Sequence, residues 1–110
     1  MINIDLINNT PLKTQPFPYF SIEQSMLEEK LADLVQDFPS ITRGGSFNKE
    51  DLDLSANYEA LHNALDSRDF RQALSEKFDV DVTGSPLMLT YRGFSRTKDG
   101  RVHTDSKTKL

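Results

Sequence analysis

The 110 residues contain no cysteine. That absence rules out a disulfide framework and a thiolate metal site. No apolar run reaches the length of a membrane-spanning helix, and no basic-then-apolar leader opens the chain, so the reading is a soluble, cytoplasmic protein with no membrane partner. Internal repeats, low-complexity tracts and coiled-coil heptads are missing too. The Gly44-Gly45 pair lacks the strand–glycine–helix context of a dinucleotide site and has no following Lys-Ser/Thr for a phosphate loop. No G-x-S-x-G elbow supports serine hydrolysis, and two histidines fall short of a closed tetrahedral zinc set.

What the chain does contain is unevenly charged. Residues 1–91 carry 7 basic and 15 acidic side chains, and residues 92–110 carry 6 and 2, so a net −8 segment runs into a net +4 tail. A solvated strand edge accounts for such a tail, and so does attraction for an anionic cosubstrate such as a dicarboxylate. A nucleic-acid partner is not expected, because the whole chain is acidic and its aromatics are not interleaved as stacking platforms.

Met1–Asn8 alternates Ile2, Ile4 and Leu6 with polar residues, which predicts a short strand. Pro16 and Pro18 restrict PFPYF to an edge or extended packing segment. Ser25 and Glu28 have capping-box spacing, and Leu27, Leu31, Leu34, Val35 and Phe38 form one stripe, predicting a helix over residues 25–37 that Pro39 stops. Residues 39–55 have no clean period and read either as a lid or as a surface connection. Further helices are expected over Asn57–Leu65 and Arg68–Phe78, the second capped by Ser67 or Asp66. A brief strand is expected at Val80–Thr83. A longer one follows at Leu87–Gly93, with Leu87, Leu89 and Tyr91 on one face.

The richest stretch is Tyr91–Leu110, YRGFSRTKDGRVHTDSKTKL. His103 and Asp105 follow an Asp99-Gly100 turn. In an extended segment residues i and i+2 share a face, so this imidazole and this carboxylate are candidates to grip one divalent cation. With one more histidine such a pair makes the facial set of a non-haem Fe(II) oxygenase. Arg101 and Lys107 would share that face and raise the local positive potential. His62, the other histidine, lies on an expected helix upstream and reads as a hydrogen-bonded or surface residue rather than a ligand.

The run RGFSRTKDGRVHTDSKTKL resembles the first metal-binding stretch of the Fe(II)/2-oxoglutarate-dependent dioxygenases, in the branch related to prolyl hydroxylases. The likeness is specific over Tyr91–Leu110 and loose over residues 1–90. It implies that His103 and Asp105 are iron ligands, that 2-oxoglutarate is the cosubstrate, and that the substrate is a small molecule or a peptide of unknown identity. It implies an α+β fold: helices over about residues 21–79 supporting a double-stranded β-helix, or jelly roll, that begins at about residue 80, all in one domain over residues 1–110. The family's second histidine ligand and the arginine that pairs with 2-oxoglutarate lie downstream of H-x-D. Five residues follow Asp105, none of them His or Arg. The resemblance therefore implies the front part of such an oxygenase, with an incomplete barrel, no activity alone, and self-association through unpaired strands. The alternative is a small α+β binding or interaction module in which the His-x-Asp is incidental.

Overall fold

The computed structural model describes residues 1–94. Four α-helices and one short two-stranded ladder, with a 3-10 turn at Lys49–Asp51 after the first strand, make up its regular structure. They are α1 (Ile4–Asn9), α2 (Glu28–Gln36), β1 (Phe47–Asn48), α3 (Ala56–Leu65), α4 (Arg68–Phe78) and β2 (Thr90–Tyr91). Within the described residues β1 and β2 pair antiparallel, with Phe47 opposite Tyr91 and Asn48 opposite Thr90. This is a mixed helix-and-strand arrangement, and the described residues do not themselves form a jelly roll.

The N-terminus is a helix where alternation predicts a strand. Asn3 caps it, its side-chain oxygen accepting from the Leu6 amide. Ile4 and Ile7 fall three apart, and Ile7 is the buried one, so the helical period is the one satisfied. Only Ile2 keeps extended pairing, bridging Met26, while the Asn3 amide donates to the Ser25 carbonyl at 2.8 Å. That pairing holds Ser25 and Met26 extended, so α2 starts at Glu28 and Ser25 does not cap it.

The stripe on α2 divides. Leu34 is buried, whereas Leu27, Leu31 and Val35 are 63%, 51% and 70% exposed. Helix α4 follows the expected bounds. The Ser67 hydroxyl accepts from the Phe70 amide at 3.2 Å, and left-handed Asp79 (φ 52°) ends the helix. Helix α1 packs on α4, and α3 packs on both α2 and α4. The Lys77 ammonium donates to the Thr10 carbonyl and lies over the Phe20 ring, which in turn meets Phe78.

Three departures remain. Residues 80–83 are not a strand: Asp81 closes a turn on itself, its carboxylate accepting from the Thr83 amide and hydroxyl at 3.0 and 2.6 Å. The expected strand Leu87–Gly93 contracts to Thr90–Tyr91, and its alternation holds only from Met88 on: Leu89 is half-buried and Tyr91 buried, with Met88, Thr90 and Arg92 exposed, whereas Leu87 is exposed too. The aperiodic segment 39–55 contributes β1, and its Ile41, Leu52 and Leu54 pack against the core, so it is built into the fold rather than laid over it as a lid.

Candidate functional site

The central cluster is Leu34, Tyr58 and Tyr91, surrounded by Met26, Ile41, Leu52, Leu54 and Leu61. It joins α2, α3 and β2. The junction forms because the first turn of α3 grips the end of α2. The Tyr58 hydroxyl donates to the Leu34 carbonyl, one of the carbonyls a helix C-terminus leaves without an internal partner. The Asn57 amide donates to the Asp37 carboxylate at 2.8 Å. That bond chiefly holds the Asp37 carboxyl below the usual carboxylate range. A negative charge beside the N-terminus of α3 also complements its dipole.

Tyr91 reaches into this junction from β2. Its ring lies 5.8 Å from that of Tyr58, in an edge contact, and 6.3 Å from that of Phe38. Its hydroxyl meets His62 Nε2 at 2.6 Å, with the two ring planes 9° apart. His62 is the one buried polar side chain among the described residues, and this bond satisfies it. His62 is thus a hydrogen-bonded residue of the core. No group of three His, Asp or Glu side chains among the described residues is placed to hold a cation. Sequence reading misses the His62–Tyr91 pair, since nothing links positions 29 apart before α3 and β2 are docked.

Burial pushes the phenols of Tyr58 and Tyr91 above their ordinary value of 10.0. The consequence is an alkaline limit. Below pH 10 both rings are neutral, folded or not. As pH rises past 10 the unfolded chain loses these protons first, so stability falls until the raised folded-state values are passed. Lys49, raised chiefly by its hydrogen bond to Glu59 (2.8 Å), loses its contribution over the same alkaline range. We expect a urea midpoint that holds steady up to about pH 10 and then drops. Tyr58→Phe with Tyr91→Phe should flatten that drop more than Lys49→Gln does, because the lysine pair is solvent-exposed.

A concavity of about 720 Å3 is lined by Asp66, Arg68, Arg71, Gln72, Asp81 and Thr83. Arg71 is already spent within it. Its guanidinium donates to the carbonyls of Val82 (3.1 Å) and Ser85, and it pairs with the Asp66 carboxylate. That network ties α4 to the turn at residues 81–85 and explains the groove as structure.

His103 and Asp105, with Arg101 and Lys107, lie outside the described residues. The segment leading toward them is described: β2, then Arg92, Gly93 and Phe94, with Gly93 against Ile41. No helix among the described residues is long and apolar enough to cross a membrane. No protein-family model, curated protein or solved structure matches the chain, so the likeness noted for Tyr91–Leu110 rests on the residues of that stretch.

Proposed function

We propose that this chain carries the first metal-binding stretch of an Fe(II)- and 2-oxoglutarate-dependent oxygenase, with His103 and Asp105 as two protein ligands. The carrying observation is the run RGFSRTKDGRVHTDSK, which starts immediately after Tyr91. The two-residue strand Thr90–Tyr91 precedes that run, and Tyr91 packs with Leu34 of α2 and Tyr58 of α3. The exposed Leu27, Leu31 and Val35 on α2 fit a helix that lies against a further sheet.

The donor chemistry fits the metal. A neutral imidazole and a carboxylate suit Fe(II), and Asp105 offsets one of its charges. Iron bound with 2-oxoglutarate supplies the activation of O2 for hydroxylation, with succinate as coproduct. The chain's own residues bind and attract: His103 and Asp105 hold the ion, and the Lys/Arg excess after residue 91 favours approach of a dicarboxylate. Because His62 is engaged by Tyr91, the 110 residues offer a single histidine to the metal, and succinate release by this chain alone is not expected.

Anaerobic titration with Fe(II), or with Mn(II) followed by electron paramagnetic resonance, tests the assignment. Loss of an outer-shell partner alone typically weakens a metal site by about 10–100-fold, so loss of a ligand should cost at least roughly tenfold. His103→Ala and Asp105→Ala should each show that loss, while His62→Gln should bind as wild type does. Equal affinity in wild type and His103→Ala would favour the small interaction module instead.

A further inference from the structure

We propose that Tyr91 and His62 form a proton-coupled redox pair, able to take up one oxidising equivalent inside the α3–β2 junction and give it back. The inference starts from what can be oxidised. The chain has no tryptophan and no cysteine, which leaves its three tyrosines as the most readily oxidised aromatic side chains. A phenol that loses an electron becomes a strong acid, so its oxidation is easy only where a base waits on the hydroxyl. The three tyrosines differ on that point. The Tyr58 hydroxyl donates to the Leu34 carbonyl, which cannot accept the proton outright. Tyr19 pairs through its backbone with Lys13 and has the Lys13 ammonium 5.7 Å over its ring, a cation that opposes oxidation. Tyr91 alone meets an imidazole nitrogen, at 2.6 Å.

Burial sets Tyr91 apart from half-buried Tyr19, though Tyr58 shares it. With water largely excluded from Tyr91 and His62, the proton has a short path to Nε2 and a poor one to solvent. Burial also pushes the Tyr91 phenol up, so the proton does not leave ahead of the electron. The step balances as follows. A one-electron outer-sphere oxidant takes an electron from the Tyr91 ring, and the Oη–H bond breaks. The proton forms a new N–H bond at His62 Nε2, leaving a neutral phenoxyl radical beside an imidazolium. Reduction of the radical returns the proton to oxygen. The near-parallel rings let this happen with small heavy-atom motion, since the donor and acceptor are already in contact. The pair stands independently of the iron assignment, because it requires no metal in this chain.

Flash photolysis tests it, with ruthenium(III) tris-bipyridine generated by persulfate as the oxidant and the 110-residue chain carrying Tyr19→Phe. A neutral tyrosyl radical is expected by optical absorption and electron paramagnetic resonance. It should vanish on adding Tyr91→Phe although Tyr58 remains. Its formation should slow in heavy water. In His62→Leu it should slow by roughly a hundredfold, the low end of what a positioned base contributes to proton transfer. An undiminished radical in Tyr91→Phe, or an unchanged rate in His62→Leu, overturns the proposal. Should His62→Leu not fold, the folded Tyr19→Phe chain still decides, since formation at equal rates in light and heavy water overturns it as well.

Discussion

Tyr91→Ala should leave the chain without a cooperative unfolding transition. The core has little to spare: Ile7, Leu34, Tyr58, Ala73 and Tyr91 are its buried apolar residues among those described, and none of them is sealed completely. Tyr91 is the piece that three elements share. It touches Tyr58 of α3 and Phe38 beyond α2, and its own strand pairs with β1 through Phe47. Truncating a buried aromatic to alanine costs about 3–5 kcal/mol. The same change removes the partner of buried His62, and an orphaned buried polar group adds about 1–3 kcal/mol. Small domains have only about 5–15 kcal/mol in total, and a thin core sits low in that range. Tyr91→Phe separates the contributions, because it keeps the ring and loses only the hydrogen bond. It should lower stability by about 1–3 kcal/mol while preserving a sigmoidal transition. Urea denaturation followed by circular dichroism reads both. A Tyr91→Ala chain with a wild-type midpoint would show that the α2–α3–β2 junction is not where the fold is held.

The parts legible in the sequence are those whose signals are local. Helices α3 and α4 follow from Tyr58, Leu61 and Leu65, and from Phe70, Leu74 and Phe78 with Ser67 at the cap, because propensity, spacing and capping all act within a dozen residues. The alternation around Tyr91 is legible for the same reason. The misreadings occur where a distant partner decides. Ile2, Ile4 and Leu6 fit both periods, and the choice went to the helix through Asn3 and the contact with α4. Ser25 and Glu28 satisfy the capping-box pattern, but Ser25 is claimed by the backbone of Asn3. Segment 39–55 reads as irregular because its apolar residues, Ile41, Leu52 and Leu54, are spaced to meet the cluster around Tyr58, and no single element sets their period. The candidate metal residues are legible in the opposite sense. His103 and Asp105 come entirely from the chemistry and wording of their stretch, whereas the His62–Tyr91 pair comes entirely from the fold.

Gly93→Ala should destabilise the chain although the same change at Gly84 should not, and the contrast follows from space. A methyl group at Gly93 would stand 2.8 Å from both the Cβ and the carbonyl oxygen of Ile41, and 2.9 Å from its Cγ2. One of those atoms is backbone, so no side-chain rotation relieves the overlap, and either residue 93 or residue 41 must move. Overpacking of this kind costs about 1–3 kcal/mol. Against it stands the gain from restricting the unfolded chain, about 0.4–1 kcal/mol for glycine to alanine. The overlap wins, and a net loss of roughly 1–2 kcal/mol is expected from those two terms. At Gly84 nothing lies within 4 Å of the added carbon, and φ is outside the left-handed region, so only the entropic gain remains and Gly84→Ala should be neutral or slightly stabilising. Opposite signs for the two variants in one urea series would bear out the close approach of residues 41 and 93; equal effects would sink it. The position matters for the proposed chemistry as well, because Gly93 is the second residue of the run that holds His103 and Asp105. A chain forced away from Ile41 would enter that run displaced. Gly93→Ala should therefore weaken Mn(II) binding in the folded protein while Gly84→Ala leaves it intact, and equal Mn(II) affinity in the two would separate the packing of this glycine from any part in placing the ligands.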